Sequence, residues 1–167
     1  MITLVLGGAR SGKSLVAERI ATRLPPPVTY MATGLATDAD MAARIAAHRA
    51  RRPSVWTTVE VGEDGDLVGC LRSTTGTVLL DSLGTWIAAR SVDAGSADVE
   101  KLVDALAGRE GDTVVVSEEV GLSVHPPTVV GRRFVDALGL LNQAVAAVAD
   151  DVLLAVAGRT LTLEGDG

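Results

Sequence analysis

Residues Gly7-Gly8-Ala9-Arg10-Ser11-Gly12-Lys13-Ser14 restrict what this chain can become more than any other stretch, because they fit G-x-x-x-x-G-K-[ST]. A loop of this kind has a required setting: a buried strand before it and a helix after it. Ile2-Thr3-Leu4-Val5-Leu6 is short, apolar and β-branched, which predicts the strand. Leu15 to Leu24 supplies the helix, with Val16, Ile20 and Leu24 at helical spacing and Ala17 and Ala21 beside them. Glycines let backbone N–H groups close round phosphate oxygens without a Cβ in the way. The helix adds the positive end of its dipole. Lys13 can reach β- and γ-phosphates, and the Ser14 hydroxyl can ligate Mg²⁺.

Pro25-Pro26-Pro27 stops that helix, and Val28 to Ala32 reads as a second strand. Thr33-Gly34 follows, either at the ligand-binding end of a parallel sheet or as a plain junction. Asp38 can cap a helix running to about Ala50. On it Met41, Ile45 and His48 share a face, so His48 is off the plain solvent side. Such a histidine is commonly half-buried on an apolar stripe. Yet Arg44, Arg49, Arg51 and Arg52 surround it, which suits an anion or a solvated helix end. Ser54 to Val61 looks extended, with Glu60 either exposed or against a ligand hydroxyl. Gly62 to Gly65 is a turn, and Asp66 to Arg72 a short helix in which Cys70 acts as a small hydrophobe.

Gly76-Thr77-Val78-Leu79-Leu80-Asp81 is the second landmark. It has the Walker-B pattern, a buried strand whose terminal Asp helps hold Mg²⁺. A helix at Leu83 to Arg90 carries a core Trp86, a polar loop spans Val92 to Ser96, and Asp98 opens another helix. Asp112 to Ser117 is a buried strand ending at Glu118-Glu119, and Val120 to Pro127 is an irregular loop in which His125 reads as structural. A long helix covers about Val129 to Ala149, its seam Phe134, Leu138, Leu141, Val145 and Val148. Arg132 and Arg133 sit unfavourably for the dipole in its first turn, so they are expected to answer an anion or carboxylate elsewhere. Asp151 to Ala157 and Arg159 to Leu163 form a hairpin at Gly158.

This alternation predicts one α/β domain over residues 1–167: a P-loop NTPase-like (RecA-like), mostly parallel sheet flanked by helices, with a C-terminal edge hairpin. The chain is 47% hydrophobic, but only Tyr30, Trp56, Trp86 and Phe134 are aromatic, so Ala, Val and Leu must fill the core. A net charge of −6 argues against broad nucleic-acid binding. A single cysteine excludes an internal disulfide and a zinc finger. No signal peptide and no membrane span is read, so a cytoplasmic location is expected. Chemistry and spacing together reach a nucleoside triphosphate with Mg²⁺, and leave kinase, nucleotidyltransferase and motor or switch ATPase open.

The chain also resembles the bifunctional cobinamide kinase / cobinamide-phosphate guanylyltransferase family. The phosphate loop, Tyr30-Met31-Ala32-Thr33, the block from Met41 through His48 to Pro53 with Trp56 and Glu60, Leu79-Leu80-Asp81, Glu119-Val120-Gly121, Arg133-Phe134 and Asn142-Gln143 carry the likeness. The resemblance implies phosphorylation of the aminopropanol hydroxyl of adenosylcobinamide, then transfer of GMP from GTP to that phosphate through an adduct on His48. It implies GTP and ATP as substrates and Mg²⁺ held by Ser14 and Asp81. It places Gly7, Gly8, Ala9, Arg10, Ser11, Gly12, Lys13, Ser14, Ala32, Thr33, Gly34, Arg49, Ala50, Arg51, Arg52, Glu60 and Asp81 at the nucleotide, with Lys13 and His48 catalytic. A homo-oligomer, a trimer, is implied as well. Glu118 stands where the family pattern has Asn, and Leu122 to Pro127 lacks the carboxylate usual there. The rivals are a P-loop small-molecule kinase with a structural His48, and a regulatory ATPase.

Overall fold

A computed structural model describes residues 1–34, 39–62, 65–90, 96–122, 124 and 126–165. Asp38, residues 92–95 and His125 therefore lie outside the described residues. In chain order the elements are β1 (Ile2–Gly7), α1 (Lys13–Ala21), β2 (Val28–Ala32), α2 (Ala39–Arg51), β3 (Thr57–Glu60), α3 (Leu67–Ser73), β4 (Thr77–Asp81), α4 (Leu83–Ala89), α5 (Ser96–Ala107), β5 (Thr113–Glu118), α6 (Val129–Ala146), β6 (Asp151–Val156) and β7 (Arg159–Leu163).

The strands form one seven-stranded sheet in the order β3-β2-β4-β5-β1-β6-β7. Every pairing is parallel except β6 with β7. Helices cover both faces, which is why the central strands are apolar on consecutive residues rather than alternately. Leu4, Met31, Leu80 and Val115 point to a core closed by α3 to α6, where Leu67, Leu83, Trp86, Leu102, Leu138 and Leu141 are buried. Val5, Tyr30, Leu79, Val114 and Val116 point to a second core closed by α1 through Val16, Ala17 and Ala21. Trp86 is a core residue as its apolar setting suggested, and Cys70 is half-buried at the edge of the first core.

Two element boundaries are corrected, and Arg132 finds carbonyl partners. The extended run begins at Thr57, not Ser54, because a turn closes from Trp56 N–H to the Pro53 carbonyl at 3.0 Å. α6 stops at Ala146, and Val148 and Ala149 continue it only as single turns onto Val145 and Ala146. Among the described residues Arg132 meets no carboxylate. Its Nη1 donates to the carbonyls of Pro126 and Pro127 at 3.3 and 3.1 Å, closing the bend that leads into α6.

Two features of the topology set up the site. β5 lies between β1 and β4, so Asp81 stands one strand away from the phosphate loop and the end of β5 fills the gap. The β6–β7 hairpin turns at Ala157 and Gly158 with φ of 52° and 74°, the mirror-image turn that suits a two-residue hairpin. Its Gly158 N–H donates to the Ser11 carbonyl at 2.8 Å, which ties the hairpin tip to the phosphate loop.

Candidate active site

In a parallel sheet, the carboxyl ends of the strands share one edge, and ligands collect there. Register places Glu60 of β3 opposite Ala32, Ala32 opposite Asp81, and Glu118 of β5 opposite Gly7. A cavity of about 580 Å³ opens over this edge. Its walls include Lys13 and Ser14 from α1, Asp81 from β4, Glu118 from β5, and His48, Arg49 and Arg52 from α2 and its end.

The phosphate loop has the backbone its glycines were expected to allow. Gly12 has φ 90° and Arg10 has φ 56°, so N–H groups turn toward one side. A Cβ at Gly7 would collide with the Ser11 hydroxyl and sit 2.8 Å from the Ala155 carbonyl. Lys13 Nζ rests 3.4 Å from the Gly8 carbonyl and 3.6 Å from Glu118 Oε1. Glu118 was not among the residues expected at the nucleotide. It ends an apolar strand as Asp81 does, and the same strand-end rule applied to β5 would have found it. Ser82, which caps α4 in a capping box with Thr85, also donates to both Glu118 oxygens at 3.0 Å. From behind, Asn142 of α6 fixes the end of β5. Its Nδ2 donates to the Glu118 carbonyl at 3.0 Å and its Oδ1 accepts from Ser117 at 2.6 Å.

Asp81 is the centre of a second group. Its Oδ2 accepts from the Tyr30 hydroxyl at 2.9 Å and faces His48 Nδ1 at 3.9 Å. Burial lowers the His48 pKa below 6.5, against the opposing pull of Asp81. At neutral pH the imidazole is therefore uncharged and the contact is not an ion pair. Burial, and Asp81 beside it, push the Tyr30 phenol up, so it stays a hydrogen-bond donor. The Arg52 guanidinium lies over the Tyr30 ring, 3.2 Å from its centre. Its Nε and Nη1 are buried with no hydrogen-bond partner among the described residues. A buried, unpaired cationic donor at the wall of a cavity is costly unless an anion completes it.

Other expected residues fall in different places. Arg49 pairs with Glu60. Arg51 turns away from the cavity and pairs with Glu18 of α1. Thr33 is buried, donating to the Ser82 carbonyl at 2.6 Å and accepting from its N–H at 2.8 Å. Ala32 and Gly34 line the cavity, whereas Ala50 does not. Gly8, Arg10 and Ser11 instead line a smaller cavity of about 370 Å³ on the other flank of the loop, with Leu122 and Leu154 to Ala157. Ala9 touches both cavities.

Ser14 and Asp81 offer oxygen donors across the larger cavity, and Asp81 Oδ1 is not engaged by Tyr30. That donor set fits a hard cation that keeps several waters, as Mg²⁺ does. Among the described residues no group of three His, Cys, Asp or Glu side chains is placed to cage a metal. No helix among them is long and apolar enough to cross a membrane.

The sheet, the loop and the strand-end carboxylates define a P-loop nucleotide-binding protein. The fold recurs in solved structures of low sequence identity. An ATPase from the type III secretion system of pathogenic bacteria superposes with a TM-score of 0.59 at 11% identity, over 92% of this chain and 50% of that one. A protein from Pyrococcus horikoshii OT3 gives 0.53 at 11% identity, over 96% and 84%. Sequence narrows the class further. The profile of the family "Cobinamide kinase / cobinamide phosphate guanyltransferase" matches residues 3–163, and the chain belongs to that family. The bifunctional adenosylcobalamin biosynthesis protein CobP of Pseudomonas aeruginosa is 41% identical over 99% of both chains. CobU of Salmonella typhimurium, of the same description, is 36% identical over 95% of this chain and 97% of its own.

Proposed function

We propose that the protein phosphorylates the aminopropanol hydroxyl of adenosylcobinamide and then guanylylates the resulting phosphate, using one cavity for both nucleotides. The observation that carries this reading is a neutral His48 opening into the same cavity as Lys13 and Ser14. In the first reaction the acceptor oxygen attacks the γ-phosphorus and the nucleoside diphosphate leaves. The loop N–H groups and Lys13 hold the phosphates. Ser14 and Asp81 would hold Mg²⁺, which would supply positive charge to neutralise the triphosphate. In the second reaction an uncharged ring nitrogen of His48 attacks the α-phosphorus of GTP and pyrophosphate leaves. Nδ1 is turned to Asp81, so Nε2 is the nitrogen geometry makes available. A phosphate oxygen of adenosylcobinamide phosphate then displaces His48, giving adenosylcobinamide-GDP. The unpaired donors of Arg52 suit the phosphate that moves between these partners. Glu60, freed from Arg49, suits the two donors of a guanine Watson–Crick edge. The smaller cavity abuts the loop at Ala9 and has an apolar wall, so it suits the acceptor's approach to the γ-phosphorus.

The test uses GTP labelled at the α-phosphate. Acid-labile, base-stable labelling of the wild-type protein that disappears in His48→Ala is expected. Unlabelled wild-type protein in the presence of Mg²⁺ would remove the guanylyl half of the proposal. Phosphorylation of adenosylcobinamide, assayed separately, tests the other half.

A further inference from the structure

α1 presents an apolar face to the sheet through Val16, Ala17 and Ala21, and one carboxylate is buried with them: Glu18, 6% exposed. A buried carboxylate is unfavourable without a partner. Its hydrogen-bond partner is Arg51, whose Nε lies 3.4 Å from Oε2 and Nη2 3.3 Å from Oε1, a two-pronged pair. Neither residue lines the nucleotide cavity. They join α1, which starts with Lys13 and Ser14, to α2, which carries His48.

α2 depends on such joints. None of its described side chains belongs to either hydrophobic core. Its last turn and the residue after it instead reach four different elements: His48 toward β4 at Asp81, Arg49 to β3 at Glu60, Arg51 to α1 at Glu18, and Arg52 over β2 at Tyr30. Three of these side chains open into the cavity, where a nucleotide competes for them. Arg51 is the exception, so its hold on Glu18 persists when the cavity fills.

We propose that Glu18 is a positioning residue for guanylyl transfer: its pair with Arg51 fixes the end of α2 against α1, and so sets the distance from His48 to the phosphates held at Lys13. Glu18 touches no substrate and takes no proton. The inference rests on the two-reaction reading above. It assigns Glu18 to the histidine step only, because phosphorylation uses groups on α1, β4 and the phosphate loop. Misplacing a reacting atom by about 1 Å can cost on the order of 100-fold in rate.

Glu18→Gln keeps the size and removes the charge. The full chain is assayed in two ways: the first-order rate of His48 labelling from α-labelled GTP, and steady-state phosphorylation of adenosylcobinamide. The labelling rate is expected to fall about 10- to 100-fold with kcat for phosphorylation within about threefold of wild type. The exchanged pair Glu18→Arg with Arg51→Glu, which restores the attraction, is expected to recover labelling relative to either single change. A labelling rate in Glu18→Gln within about threefold of wild type overturns the proposal. So does an equal fall in both reactions together with a lowered melting temperature, which marks a purely structural role. Absence of labelling in wild-type protein is a different result, and it overturns the two-reaction reading itself.

Discussion

Arg109 anchors the end of the sheet opposite the site, and its removal has a consequence that can be worked through. Its Nη1 donates to the Leu71 and Thr74 carbonyls, each at 2.6 Å, and its Nη2 to the Gly76 carbonyl at 2.7 Å. Its Nε donates to the Thr113 hydroxyl at 3.1 Å. These contacts join the end of α3 to the starts of β4 and β5. Arg109→Met keeps the aliphatic stem and removes every donor. A buried acceptor left without a partner costs about 1–3 kcal/mol. Arg109 is only half-buried, so water reaches part of the gap and the lower end of that range applies. Three carbonyls at about 1 kcal/mol each give a loss of about 3 kcal/mol. For a chain of 167 residues this corresponds to a melting temperature lower by about 6–12 °C. Thermal denaturation followed by circular dichroism measures it, with His48 labelling at a temperature where both proteins are folded. Labelling is expected to be unchanged, because the contacts lie at the amino ends of the strands. A shift under about 2 °C would refute the reasoning, and so would a labelling defect in fully folded protein.

Two further outcomes concern the site. His48 must be uncharged to attack phosphorus, and burial lowers its pKa below 6.5, so the labelling rate is expected to hold above pH 6.5 and fall through a midpoint below it. Asp81→Asn removes the carboxylate that raises this pKa and is expected to move the midpoint lower still; a wild-type midpoint at or above 6.5 would contradict the sign. Glu118 holds Lys13 in the ligand-free site, so a triphosphate must draw Lys13 away from it. Glu118→Asn is expected to tighten ATP binding about twofold to fivefold by calorimetry, the value of a partly exposed ion pair, and weaker binding would show that the carboxylate supports the ligand.

Local sequence carries information where one stretch meets its physical requirement alone. Gly7 to Ser14 needs particular backbone angles, and Gly12 at φ 90° shows why glycine stands there. Thr77 to Asp81 is apolar on consecutive residues because both faces of β4 are covered, which marks it as central without knowledge of its neighbours. The seam of α6 repeats at helical spacing because one face must be buried, and Leu138, Leu141 and Val145 are fully buried. The family could be recognised from motifs of this kind.

What such stretches do not contain is the order in which strands pair. That order brings β5 between β1 and β4, and so sets Glu118 against Lys13. Arg49, Arg51 and Arg52 look alike as a basic run, yet helical rotation and the surrounding elements send them to Glu60, Glu18 and Tyr30 in turn. The segments around Tyr30 and Glu18 do not show what these residues meet, since a tyrosine in a strand and a glutamate in a helix are ordinary. Their roles come from partners 51 and 33 residues away in the chain. By itself the sequence determined the phosphate loop, the strand-end Asp81 and the histidine on an amphipathic helix, because those features are set by local backbone geometry and periodicity. Only the tertiary structure decided which charges meet, because pairing over such distances depends on the sheet order and helix placement that burial of the two cores imposes.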